Sequence, residues 1–149
     1  MCRWAMRARL ATQRLHEGER MAGTILIVDD EIQLAKIIQL TLEHAGYETL
    51  LAFDGKEALE MVRTGRPALV ILDLMLPVLD GYKVCNRIKG EEATKHLPVI
   101  ILSARDLSRE RLDEPITADL FMAKPFDSAI LLKEISELLR RRPFARAVE

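Results

Sequence analysis

The chain has 149 residues and a mass of 16.9 kDa, room for one domain of ordinary size, so a catalytic domain joined to a separate effector domain is not expected. With 49% hydrophobic and 30% charged residues it lies outside the low-hydrophobicity, high-net-charge range in which chains stay disordered, and it can bury a core. Its 22 basic and 23 acidic side chains nearly cancel to a net charge of −1, so bulk electrostatics gives no reason to expect a nucleic-acid partner.

The charge is unevenly placed. Residues 1–20 hold Arg3, Arg7, Arg9, Arg14 and Arg20 against Glu17 and Glu19, a local net of +3, which leaves −4 for the remainder. This segment lacks the apolar stretch of a secretory signal. Residues 1–23 are therefore expected to be a basic leader, appended or disordered, with Met21 able to serve as a start. Trp4, Ala8, Ala11 and Leu15 fall at helical spacing, so a short amphipathic helix for a membrane surface or a partner is the alternative. Cys2 and Cys85 can form at most one bridge and have no metal-ligand spacing, which points to a reducing compartment, the cytoplasm.

From Thr24 onward apolar runs alternate with amphipathic stretches. TILIV (24–28) is a β-branched run too short for a helix, with acids directly after it, and predicts a buried strand. Leu34, Ile37, Ile38, Thr41, Leu42 and Ala45 recur at spacing three and four, predicting a helix that Gly46 ends. YETLLA (47–52) predicts a second strand. Asp54 and Glu57 have capping-box spacing and open a helix running to about Arg63. ALVIL (68–72), after Pro67, has the continuous apolarity of a strand covered on both faces, and Asp73 ends it. Gly81 opens a third helix through Ile88. Pro98 leads into the strand VIIL (99–102), a weak helix is expected around Ser108 to Leu112, and LFMA (120–123) reaches Lys124. Asp127 then caps a last helix with Ile130, Leu131, Ile135, Leu138 and Leu139 on one face. The apolar runs Ala68–Leu72 and Leu97–Leu102 fall far short of the roughly 20 residues of a membrane span, and none is expected.

Five strands alternating with five helices predict an α/β fold: a doubly wound parallel sheet with helices on both faces, because each return to a parallel strand needs a crossover. In such a sheet ligands bind beyond the carboxyl ends of the strands. The residues there are Asp29 and Asp30, Phe53 and Asp54, Asp73, Ser103 and Lys124. If the first, third and neighbouring strands adjoin, Asp29, Asp30 and Asp73 lie within about 5 Å, and each pair repels by roughly 3 kcal/mol at an effective dielectric of 20. That cluster calls for a dication or a proton. Ligands that are all oxygen, without His or Cys, favour Mg2+ over zinc, and Lys124 and Ser103 add a point charge and a donor for an anion. Taken singly, the Asp residues are ordinary turn and cap formers, and serines end many strands. The joint placement carries the argument, helped by Lys124-Pro125, where a proline follows a lysine that ends an apolar strand.

The pieces ILIVDDE (25–31), LVILDLMLPVLDGYKVCNRIK (69–89), PVIILSA (98–104) and LFMAKPF (120–126) resemble, in order and spacing, the receiver domain of two-component response regulators. The resemblance covers residues 24–142 and leaves 143–149 as a C-terminal tail. It implies a flavodoxin-like sheet of order 2-1-3-4-5. It further implies that Asp73 is the phosphoacceptor, receiving its phosphoryl group from a sensor histidine kinase or histidine phosphotransfer protein. Asp30, Asp73 and the backbone carbonyl of Met75 would ligate Mg2+, with Asp29 acting through water. Ser103 and Lys124 would contact the phosphoryl oxygens, Phe121 would be the aromatic switch, and the Lys124-Pro125 bond would be cis. The resemblance implies a signalling switch rather than an enzyme, acting on a downstream protein target, with homodimerisation on phosphorylation open.

The fit is poorest between Ser103 and Lys124. Thr117 replaces the usual glycine before the last strand, and Pro115 should shorten the fourth predicted helix, where an interior proline removes a hydrogen bond. Met75 and Arg105 stand where family members tune phosphoryl lifetime. That irregular region leaves a second reading, a receiver-like module binding its partner without phosphorylation. A nucleic-acid contact through Arg140, Arg141, Arg142 and Arg146 ranks low, since arginines at a helix end also complement its dipole. A haloacid-dehalogenase-type phosphatase is disfavoured because its Asp-x-Asp motif is not matched by Asp29-Asp30.

Overall fold

The computed structural model describes residues 23–104 and 118–141. The elements are β1 (Thr24–Val28), α1 (Ile32–His44), β2 (Glu48–Ala52), α2 (Gly55–Gly65), β3 (Leu69–Asp73), α3 (Gly81–Gly90), β4 (Val99–Ser103), β5 (Leu120–Ala123) and α4 (Ser128–Arg140). All five strands are parallel, in the order β2-β1-β3-β4-β5. Four helices lie among the described residues. The helix expected around 108–112, together with Pro115, Thr117 and Arg105, falls outside them, as do most of the leader and the tail with Arg142 and Arg146.

Two separate cores follow from strand periodicity. Leu26, Val28, Val70, Leu72, Val99 and Ile101 point to one face, where Ala58 and Val62 of α2 and Val84, Cys85 and Ile88 of α3 cover them. Their alternates Ile25, Ile27, Leu69, Ile71, Ile100 and Leu102 point to the other, under Ala35, Ile38 and Leu42 of α1 and Leu131, Ile135 and Leu139 of α4. The sheet is thus wound on both sides. Every residue of β3 and β4 is buried, which is why their sequences are uninterruptedly apolar until Asp73 and Ser103. Each fully buried Leu or Ile side chain contributes roughly 2 to 3 kcal/mol, so these central strands anchor the residues at their ends.

Helix boundaries follow local chemistry. Asp54 caps α2 by accepting the Glu57 N–H at 2.8 Å, while Glu57 reaches back to the N–H of Phe53 rather than that of Asp54, a capping box displaced by one residue. Asp127 accepts from the N–H groups of Ala129 and Ile130, and Asp80 from that of Lys83, so each of these helices starts on an aspartate. At the end of α1, Gly46 takes φ +100°, with the Tyr47 N–H on the Leu42 carbonyl and the Gly46 N–H on that of Glu43, a Schellman closure.

Two expectations need correction. Ile37 of α1 and Ile130 of α4 do not face the core; they are 56% and 52% exposed. On α1 the small Ala35 takes the place against the sheet, because a short side chain lets the helix backbone approach the strands closely. Ile130 stands one residue before the buried Leu131, so it projects about 100° round α4 from the buried stripe of Leu131, Ile135 and Leu139. The second helix also runs two residues past Arg63, to Gly65.

Candidate functional site

The carboxyl ends of β1, β3, β4 and β5 bring Asp29, Asp30, Asp73, Ser103 and Lys124 to one edge of the sheet. Register sets their heights. Val28 is paired with Leu72, so Asp29 and Asp73 leave adjacent strands at the same level. Ser103 is paired with Ala123, and the Lys124 N–H donates to the Ser103 carbonyl at 3.0 Å, holding the lysine backbone beside the end of β4. The Lys124-Pro125 bond that follows is cis. Carboxylate oxygens of Asp29, Asp30 and Asp73 lie within 4.8 Å of one another, with Asp29 and Asp73 buried and Asp30 exposed at the mouth.

Asp29 and Asp73 are used in the same way. One oxygen of each accepts a backbone N–H two residues on, Asp29 from Glu31 at 2.9 Å and Asp73 from Met75 at 3.2 Å. The other oxygen of each accepts from Lys124 Nζ, at 2.9 Å for Asp29 and 3.3 Å for Asp73. The turn-forming role of these aspartates and their place in the site are therefore the same geometry. Burial raises the Asp73 carboxyl above its ordinary value, and the charge of Asp29 pushes the same way, while the Met75 N–H and Lys124 pull against them. Burial acts to lower Lys124, but its hydrogen bond to Asp29 and the charges of both carboxylates outweigh this and raise it. With all four groups ionised, three carboxylates against one ammonium leave two negative charges in excess, in a pocket of oxygen donors only. That set fits a hard dication.

Two backbone features shape the site. A Cβ on Gly81 would run into the carbonyl oxygen of Asp73 and the Cα of Leu74, so the start of α3 can lie against the end of β3 only as glycine. The Leu79 N–H donates to the Pro77 carbonyl at 2.7 Å around Val78, whose φ of 69° makes this a γ-turn of the uncommon positive-φ kind. Met75 and Val78 in this loop are exposed. Phe121 on β5 is 44% exposed, and Phe53 and Asp54 belong to the cap of α2.

The sequence did not single out Lys89 or Asp119. Lys89 Nζ donates to the Leu97 carbonyl and to Asp119 Oδ2, both at 2.7 Å, and Asp119 also accepts the Val99 N–H at 2.8 Å. This clip fixes the starts of β4 and β5 against α3, and so the alignment that places Ser103 next to Lys124. An acid just before an apolar strand was its only trace in the sequence.

A parallel sheet in this order, with three acids and a lysine at its carboxyl edge, defines a receiver of the CheY-like type. The sequence profile of the response regulator receiver domain matches residues 25–136, and the chain belongs to that family. Its class is thus the receiver domain of two-component signalling, a signalling switch. It is 37% identical over 126 residues to the alkaline phosphatase synthesis transcriptional regulatory protein PhoP of Bacillus subtilis, covering 84% of this chain and 52% of that protein. It is 39% identical over 122 residues to the response regulator MprA of Mycobacterium tuberculosis, covering 81% and 52%. The chain spans about half the length of the curated relatives it matches. Among solved structures, the receiver domain of Francisella response regulator 1452 superposes with a TM-score of 0.68 at 31% identity, over 80% of this chain and 98% of that one. The receiver domain of the sensor histidine kinase PA1611 from Pseudomonas aeruginosa, solved with a magnesium ion in its active-site cleft, gives 0.73 at 29% identity, over 80% and 98%. No helix among the described residues is long and apolar enough to cross a membrane.

Proposed function

We propose that Asp73 is the phosphoacceptor and that a sensor histidine kinase, or a histidine phosphotransfer protein, is the donor. The observation that carries this is the pairing of a buried Asp73 with Lys124 inside a three-carboxylate group. Asp30, Asp73 and the carbonyl of Met75 would hold Mg2+, with Asp29 acting through water. Bound there, the ion would neutralise charge on the phosphoryl oxygens. An Asp73 carboxylate oxygen attacks phosphorus, the phosphorus–nitrogen bond to the donor imidazole breaks with its electron pair going to nitrogen, and that nitrogen is left to take up a proton. Lys124 moves its hydrogen bond from Asp73 to a phosphoryl oxygen, and Ser103 supplies a hydroxyl to another. The inward shift of the chain after Ser103 lets Phe121 turn from its exposed position, which alters the surface offered to a downstream protein or to a second copy of the domain. A full switch from 1:99 to 99:1 requires about 5.5 kcal/mol of preference for the active form. The receiver unit is assigned to residues 24–142 and its place of action to the cytoplasm. Slow loss of the phosphoryl group by Mg2+-assisted hydrolysis would reset it.

Incubation with acetyl phosphate and Mg2+ should add the mass of one phosphoryl group to the wild-type protein and none to Asp73→Asn. A wild-type chain that stays unmodified there, and after exposure to phosphorylated histidine kinases, overturns the assignment.

A further inference from the structure

At the opposite edge of the sheet, before the starts of β3 and β4, lies a groove of about 490 Å³. Its floor is apolar: Val62, Pro67 and Leu97 are buried. Its rim is basic. Arg63 comes from the last turn of α2, Arg66 from the residue that follows that helix, and His96 from the connection between α3 and β4; all three are exposed, and no carboxylate lines the groove. Arg63 also borders an adjoining cleft shared by Arg87 of α3 and by Glu91, the carboxylate nearest the groove among the residues lining either space. Among the described residues, neither Arg63, Arg66 nor Arg87 forms an ion pair. Complementing the dipole of α2 accounts for one basic residue in its last turn. It does not account for Arg66 and His96, which reach the same space from outside the helix, in a body whose net charge beyond residue 20 is −4.

We propose that this groove binds a small organic phosphate with a flat apolar body, of the size and kind of a nucleoside monophosphate. Planar guanidinium groups match phosphate oxygens in pairs, while the floor of Val62, Pro67 and Leu97 accepts an apolar ring. The volume falls within the range of small-molecule sites. The site is distinct from the Asp73 carboxylates, since β3 and β4 each separate the two edges by the length of a five-residue strand.

The test is an amide-shift titration of the full chain with AMP in low salt and EDTA, with adenosine, inorganic phosphate and a short poly-glutamate peptide as parallel probes. Saturable shifts confined to residues 62–67 and 93–97 are expected with AMP. Adenosine and phosphate should each bind at least tenfold more weakly. Arg63→Gln/Arg66→Gln should lose at least tenfold in AMP affinity while its melting temperature is unchanged, and Arg63→Lys/Arg66→Lys should recover part of it. Shifts that do not saturate, that centre on Asp29 and Asp73, or that are unaltered in the double variant overturn the proposal. So does phosphate binding as tightly as AMP, which would leave the apolar floor without a role, or poly-glutamate binding more tightly, which would make this an acidic-peptide surface.

Discussion

Lys124 is closer to Asp29 than to Asp73, at 2.9 Å against 3.3 Å, so the lysine rests mainly on Asp29 rather than on the proposed phosphoacceptor. This leaves Asp73 the less satisfied partner, with burial raising its carboxyl. The arrangement makes Lys124 a brace for two buried acids.

Lys124→Met should therefore destabilise the metal-free domain by about 3 kcal/mol at pH 7, the low end of the cost of breaking a buried pair, because the lysine is partly exposed. Lys124 has a raised native value, so its contribution is fully present below its ordinary value of 10.5 and is lost as pH rises through the higher native one. Urea unfolding of both proteins in EDTA, at neutral and alkaline pH, checks this; an unchanged midpoint at pH 7 would mean that water already screens the pair. Mg2+ should narrow the gap, since a dication supplies the positive charge that the variant lacks.

Asp73→Asn should be more stable than wild type in EDTA at pH 7. Burial and Asp29 raise the Asp73 carboxyl in the native state, so the native state holds its proton more tightly than the unfolded chain and stability falls as pH rises through that window. The advantage of the variant should shrink as pH falls through the raised native value toward 3.8, because the wild type is then also neutral there. Melting temperatures across that range read it. A variant less stable at pH 7 would show that attraction to Lys124 outweighs burial.

How much of this was legible in the sequence differs by element. β1, β3 and β4 could be read because each is an apolar run closed by a polar residue, and those closing residues belong to the candidate site. Alternation of five strands with helices predicted the parallel sheet, and Asp54 and Asp127 signalled their helix starts. The buried face of α1 was legible only in part: Ile38 and Leu42 fall on the expected spacing, but Ile32, Leu34, Ile37, Ile38, Leu40 and Leu42 surround most of the helix, and burial added Ala35 and left Ile37 out. Lys89 looked like one more solvated cation near a helix end. Its partners Leu97 and Asp119 meet it only after the sheet has formed, and the preference of Lys124 for Asp29 is tertiary in the same way.

Gly81→Ala should cost about 2 to 3 kcal/mol, since the added methyl meets the backbone of Asp73 and Leu74 and no side chain can give way. Any relief would have to displace the end of β3, so phosphorylation by acetyl phosphate should slow together with the loss of stability. Chemical unfolding and phosphorylation rate, measured on the same preparation, check both. A stable variant with a normal rate would place Gly81 farther from β3 than the structure does.

Val78→Gly should stabilise the domain by about 0.5 to 1 kcal/mol. A β-branched L-residue at φ 69° bears roughly 1 to 2 kcal/mol of backbone cost, and glycine removes it at the expense of some added freedom in the unfolded chain. The valine side chain is 76% exposed, so its loss forfeits little packing. The γ-turn also sets the Pro77 carbonyl, which accepts the Gly55 N–H at the start of α2 at 3.4 Å, so it links the loop after Asp73 to the neighbouring helix. A raised urea midpoint with an unchanged slope is the expected result. A lowered midpoint would show that the turn needs the stiffness of valine more than it suffers from the strain.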